Sequence, residues 1–297
     1  MRSVKTPRRL EPVRQDGWAA WGRLEWAVMN QPPAVLTIAG SDNSCGAGAQ
    51  ADLKTITTLG GYAQTAITCV VAEVPGAVET IQPIDVSVIE AQVRLSLQAF
   101  PVQAIKTGML FSPAIVTTVA KVLKERAPEI PLVVDPVMVA SSGESLLEPA
   151  AIEAYRSELF PLATLVTPNL DELRMLSGLP CGDLKEMEEA GRMLVERFGC
   201  CFLAKGGHLG TDEAVDILIT SQESEQFSAP FRRGVDAHGT GCTFSAAIAT
   251  GLAQGLSLSD AVARGKRFIT AAIEQRLTWG ATTALDHRVQ VAVVTGG

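Results

Sequence analysis

Histidine and tyrosine are scarce, with three and two among 297 residues. The six cysteines, at 45, 69, 181, 200, 201 and 242, form no Cys-x-x-Cys pair. Together these shortages exclude a zinc set and a disulfide framework, and leave free thiols suited to a reducing cytoplasm. No apolar run is long enough to span a bilayer. Excess positive charge is lacking too: the net charge is -7, which argues against a nucleic-acid surface. There is no fixed-period repeat and no low-complexity tract. What the chain does have is apolar bulk, 47% of its residues. That is enough for one large α/β domain or two small ones without cross-links.

Residues 1–30 differ from the rest. Arg2, Lys5, Arg8, Arg9, Arg14 and Arg23 outnumber the acids there, and Trp18, Trp21 and Trp26 are three of the chain's four tryptophans. With no apolar core and no small-residue cleavage signal, the segment does not read as a secretory leader. Met29 precedes the first convincing strand. The segment therefore reads as a disordered arm, or as an extension from a mis-assigned start, ahead of a single domain over 31–297.

From residue 34 onward, apolar runs alternate with helical spacing. Ala34–Gly40, Ala66–Ala72, Ala104–Met109, Leu132–Val137, Thr164–Thr167 and Cys201–Lys205 read as strands. Helices are predicted over 49–59, 85–99, 112–124, 149–159, 186–198, 242–254 and 259–276, and another opens at Pro168–Glu172. Their boundaries are signalled by Asp85 and Ser112-Pro113 as caps and Gly199 and Gly255 as stops. Residues 214–220 and 225–229 suit a hairpin, and Ser141-Ser142-Gly143 suits a turn. This alternation implies a mostly parallel central sheet with helices on both faces and no linker between domains. Ligands of such sheets sit beyond the carboxyl ends of the strands. Asp42, Glu73, Lys106, Asp135, Asn169, Glu172, Lys205 and His208 all fall at those ends.

One stretch concentrates chemistry: His238-Gly239-Thr240-Gly241-Cys242, at a helix start. Two glycines let the backbone approach a ligand, and free N–H groups at a helix start favour an anion. Cys242 lies where that field is expected to favour thiolate. An anion cradle beside an ionisable sulfur suits transfer of a charged group such as phosphoryl. The same residues also suit a plain helix start with a buried cysteine.

These segments resemble the hydroxymethylpyrimidine/phosphomethylpyrimidine kinases of thiamin synthesis, within the ribokinase-like superfamily. The resemblance runs in order through Leu36–Asp42, Gly46–Thr55, Lys106–Leu110, Val134–Met138, Thr167–Glu172, Lys205–His208 and His238–Thr243. It implies an ATP- and Mg²⁺-dependent kinase, cytoplasmic and homodimeric, acting on a hydroxymethyl group and then on the monophosphate. It makes Cys242 the catalytic base, with Gly239, Thr240 and Gly241 around the moving phosphate and Lys205 on the phosphates of ATP. Asn169, Glu172 and Asp135 would organise Mg²⁺ and its waters. Gly40, Ala47, Asp52, Glu73, Met109 and Val137 match positions that line or support the pyrimidine pocket.

Two departures bear on the acceptor. Glu73 stands where the family usually has Gln, and a carboxylate only accepts hydrogen bonds unless it is protonated. The tail, Gly280–His287, lacks the family's glycine- and histidine-rich closing motif. A kinase for pyridoxal-type or other hydroxymethyl heteroaromatics, and a catalytically silent pyrimidine-binding relative, are the alternatives.

Overall fold

Among the described residues, nine strands, numbered along the chain, form one sheet in the order β3-β2-β1-β4-β5-β6-β7-β8-β9. They are β1 (Ala34–Asp42), β2 (Tyr62–Val74), β3 (Ala77–Pro83), β4 (Val102–Thr107), β5 (Leu132–Val134), β6 (Leu165–Val166), β7 (Cys201–Gly206), β8 (Glu213–Ile219) and β9 (Ser224–Pro230). The computed structural model describes residues 31–138, 149–207, 209, 212–232 and 238–290. The arm over 1–30, the turn at Ser141-Ser142-Gly143 and His208 lie outside them. The chain divides into Met1–Pro32 and Pro33–Gly297, and the described residues, Gln31 and Pro32 apart, belong to the second unit.

The six inner strands, β2 to β7, run parallel, while β3, β8 and β9 add antiparallel margins. Of these, β1, β4, β5, β6 and β7 are largely buried on both faces, which is why they read as apolar runs. Successive residues still alternate between two cores. Leu36, Ile38, Ile105, Val134, Val166 and Phe202 enter one; Val35, Ala104, Val133, Leu165 and Leu203 enter the other. Helices α2 (Val86–Ala99), α3 (Pro113–Arg126), α4 (Pro149–Ala154), α5 (Leu170–Ser177) and α6 (Leu184–Phe198) cover the first core. Helices α1 (Gly48–Thr58), α7 (Thr240–Ala253) and α8 (Leu258–Glu274) cover the second.

Most helix starts are set locally, as the sequence signals. The side chains of Asp85, Ser112, Asn169, Asp183 and Ser257 each accept a backbone N–H at the head of their helix. Helix α7 carries no side-chain cap, and Gly239 enters it in the left-handed region at φ 80°. Nearly all of α7 is buried, and its small residues bring neighbours close: Gly251 abuts Ala261, and the Phe244 ring lies on Gly265.

Two features depart from expectation. The strand expected over Ala66–Ala72 spans Tyr62–Val74, and Pro75-Gly76 turns it into β3, which returns antiparallel along β2. After α8, a short hairpin of β10 (Leu277–Trp279) and β11 (Thr282–Ala284) leads into a buried tail. There Leu285 and Val289 join the second core, and His287 Nε2 pairs with Thr243 Oγ1 at 2.9 Å.

Candidate active site

Strand β1 has β2 on one side and β4 on the other, so the crossovers diverge there and leave a crevice at the carboxyl ends. A cavity of about 580 Å³ occupies that crevice, a size typical of small-molecule sites. Gly40, Asp42, Ala47, Glu73, Met109, Asp135, Val137, Asn169, Glu172, Lys205 and Gly239 through Cys242 all line it. These include all but one of the residues to which the resemblance assigns a role.

The exception is Asp52. It is fully buried behind the cavity, where both carboxylate oxygens bind Lys106 Nζ at 2.9 and 3.0 Å and Oδ2 also accepts from Thr37 Oγ1 at 2.6 Å. Lys106 is equally buried, so it too belongs to the floor rather than the wall. Burial opposes charge on both groups; Lys106 counters it for Asp52, and Asp52 and the Cys242 sulfur favour the ammonium.

Cys242 lies at the third residue of α7 and is partly exposed to the cavity. Its sulfur accepts the N–H of Gly48, the first residue of α1, so two helix starts meet at it. Gly48 has φ 59°, and a Cβ there would lie 2.5 Å from the Gly40 carbonyl oxygen. A Cβ on Gly239 would overlap the carbonyl of Gly46. Both close approaches therefore require glycine. The expectation of a lowered thiol pKa does not hold. Burial pushes the Cys242 thiol up to about 11, and Asp52 and Asp135 add to the rise. The Lys106 ammonium and the Gly48 amide oppose it without overcoming it, because Lys106 is already committed to Asp52.

The other end of α7's first turn meets Lys205 and Asp135. Lys205 Nζ donates to Asp135 Oδ1 at 3.0 Å, and a Cβ on Gly241 would stand 3.1 Å from that nitrogen. Asp135 also accepts from Thr167 Oγ1 at 3.2 Å. Asn169 and Glu172 form a reciprocal capping box at the start of α5. Glu172 Oε2 accepts the Asn169 N–H at 2.8 Å, and Oε1 accepts the Met138 N–H at 3.0 Å. Burial raises the Glu172 pKa, Lys205 opposes that, and Asp135 adds to it. Val137, between Asp135 and Met138, sits at φ 34°, a costly conformation for a β-branched residue and one that concentrates at ligand sites.

The fold and these motifs match known proteins. The family model described as phosphomethylpyrimidine kinase matches residues 42–285. The chain belongs to the phosphomethylpyrimidine kinase family. It is 44% identical over 240 residues to the thiamine biosynthesis bifunctional protein ThiED of Geobacter sulfurreducens, matching 81% of this chain and spanning about half (49%) of that relative. It is 42% identical to the hydroxymethylpyrimidine/phosphomethylpyrimidine kinase of Streptomyces coelicolor, over 82% of this chain and 89% of that one. The ADP complex of Bacillus subtilis pyridoxal kinase superposes with a TM-score of 0.80 at 36% identity, covering 86% of this chain and 98% of that one. The sheet is thus the ribokinase-like sheet of this family, and no described helix is long and apolar enough to cross a membrane.

In this member of the phosphomethylpyrimidine kinase family the Asp42 end of the cavity holds what sequence reading left undeveloped. Asp42 Oδ2 accepts from Ala47 N at 2.8 Å, Ser44 Oγ at 2.9 Å and His238 Nε2 at 3.1 Å, while Oδ1 accepts from Ser44 N at 2.6 Å. His238 thereby ties the 42–47 loop to the head of α7. Burial disfavours the Asp42 carboxylate, but His238 and these donors hold its pKa well below the usual range. The β3 residues Ala77, Val78 and Ile81 form an apolar wall beside Glu73. The Pro75-Gly76 dipeptide was the sequence signal for that return strand.

Proposed function

We propose that this chain is an ATP-dependent kinase of thiamin synthesis. Its acceptor is the hydroxymethyl group of 4-amino-5-hydroxymethyl-2-methylpyrimidine, followed by the monophosphate so formed. One observation carries the reading: a cysteine sulfur, the amides of a glycine-rich helix start and a lysine converge on one cavity within a family of kinases. The acceptor oxygen attacks the γ-phosphorus, the bond to the β,γ-bridging oxygen breaks, and the hydroxyl proton passes to Cys242. ADP leaves with the bridging oxygen. The N–H groups from Gly239 to Cys242 face the charge that builds on the transferred group. Lys205 exchanges Asp135 for the phosphates of ATP.

Asp135, Asn169 and Glu172 offer only oxygen and amide donors beside Lys205, a set that suits Mg²⁺ with retained waters. When bound there, Mg²⁺ would neutralise charge on the nucleotide phosphates. Glu172 is held rigidly by two backbone amides, which suits it to fixing the ion's waters. A cytoplasmic homodimer accompanies this reading; free cysteines at all six positions suit a reducing compartment.

A pyridoxal-type acceptor is the second reading, favoured by Glu73 and by the similarity to the Bacillus subtilis kinase. Incubation with ATP, Mg²⁺ and a panel of hydroxymethyl pyrimidines and pyridines decides between them. Phosphorylated pyrimidine is the expected product. Faster turnover of a pyridine selects the second reading, and tight pyrimidine binding with no ATP consumption rejects both.

A further inference from the structure

Glu73 lines the cavity with a carboxylate that no hydrogen bond or salt bridge among the described residues answers. It is the last residue but one of β2 and is partly buried. Its backbone N–H is fixed on Asn43 Oδ1 at 2.7 Å, so the residue is held in place. Among the described residues no hydrogen bond reaches its carboxylate. A carboxylate oxygen of Glu73, one of Asp42 and a nitrogen of His238 all lie within 4.8 Å of one another. From β1, Asp42 presents a second negative charge. From the head of α7, His238 presents a ring already pledged to Asp42. From β3 only Ala77, Val78 and Ile81 reach the cavity, and none is charged.

Burial and the Asp42 charge raise the Glu73 pKa, and His238 offsets this in part. Two carboxylates so close, one locked ionised by four donors, make an electrostatic hole for a cation. A metal ion fits it poorly, because Asp42 Oδ2 already holds three donors and the His238 nitrogen beside it is one of them. A flat organic cation against the apolar β3 wall fits better, since it brings its own N–H donors to the unpaired oxygens of Glu73.

We propose that Glu73 makes the acceptor pocket select an amino-substituted N-heterocycle as its cation, with ring and amino N–H groups donating to the Glu73 carboxylate. The inference rests on the kinase reading for the identity of the site, but not for its test. Above the pKa of its ring the acceptor must then gain a proton on binding. Its apparent Kd should rise about tenfold per pH unit in that range, whether or not ATP is present.

The deciding experiment is calorimetric binding of 4-amino-5-hydroxymethyl-2-methylpyrimidine without nucleotide, from about pH 6 to about pH 9, in buffers of differing ionisation enthalpy. Wild-type protein should take up close to one proton per bound ligand at the alkaline end. The Glu73→Gln variant, nearly identical in shape, should take up none and bind with a flat pH profile. In turnover, the wild-type KM should rise with pH, the Glu73→Gln KM should stay flat, and the pH profile of kcat should be the same in both. A wild-type affinity that ignores pH, or a Glu73→Gln profile that copies the wild type, overturns the proposal and leaves the kinase reading standing. Stoichiometric binding of Zn²⁺ or Mn²⁺ that vanishes in Glu73→Gln, with no proton linkage for the pyrimidine, assigns the hole to a metal and also overturns it. Proton-linked binding with no phosphoryl transfer fails the kinase reading alone.

Discussion

At the Lys205 end of the cavity the charges are closed on one another; at the Glu73 end they are not. Lys205 is held by Asp135, Glu172 by two backbone amides, and Asp216 by Lys266 Nζ at 2.7 Å and the Gly206 N–H at 3.0 Å. Each of these groups sits on or beside an inner parallel strand, with a core on either side. Glu73 sits on the outer hairpin, and its carboxylate accepts nothing from the described residues. The transfer end is pre-organised, its donors fixed before any ligand arrives, which is how a polar site avoids reorganisation during reaction. The proposed acceptor end leaves one charge for a ligand to answer, which is what the proposed selection of a cation requires.

The strongest test of the transfer end is Cys242→Ala. Loss of a general base should lower kcat about 10²- to 10⁴-fold while nucleotide affinity stays near wild type, because the backbone cradle remains. Retained turnover in that variant removes the base assignment. With the thiol up at about 11, the proposed base would be the small thiolate fraction present near neutrality. That fraction grows about tenfold per pH unit below the pKa, so kcat should climb through the alkaline range. Cys242→Asp, ionised throughout, should flatten the climb.

The next largest effect concerns the floor that both ends share. Lys106→Met leaves Asp52 charged, fully buried and unpaired, which costs about 3–5 kcal/mol. A lowered denaturant midpoint would register it, and adding Asp52→Asn should restore part of the loss. A Lys106→Met protein of unchanged stability would mean the floor relaxes as freely as the acceptor end.

A smaller effect sits at the tail. Burial, helped by the positive charge of Lys54, lowers the His287 pKa from 6.5 to about 4. The unfolded chain therefore takes up a proton in this window that the folded chain refuses. Folding stability should fall as pH drops from 6.5 towards 4, by up to about 3 kcal/mol. His287→Asn should erase that slope, as followed by thermal melts across the window. Smallest is the Glu73→Gln shift in acceptor affinity, about tenfold per pH unit, which tests the open end directly.

Local chemistry explains what was legible in the sequence. Doubly buried strands read as apolar runs, and Asp85, Ser112 and Asn169 announce their helices because a cap acts over three residues. The carboxyl-end rule then gathers residues from 40 to 242 at one crevice. Other features depend on distant partners. Lys106 and Asp52 are 54 residues apart, and nothing near either foretells their pairing. The Cys242 thiol was misjudged because desolvation belongs to the packed state, whereas the helix start is visible in the sequence. Strand β3 was missed because its mostly exposed residues leave no apolar run.

The hairpin of β2 and β3 has one more consequence. Val74, Val78 and Ile81, which line the cavity, belong to neither core, and Val74 is 58% exposed. Exchanging them empties no packed interior and disturbs no group around the sulfur. Ligand preference on this scaffold can therefore drift by single steps at the rim while the chemistry beneath is inherited unchanged.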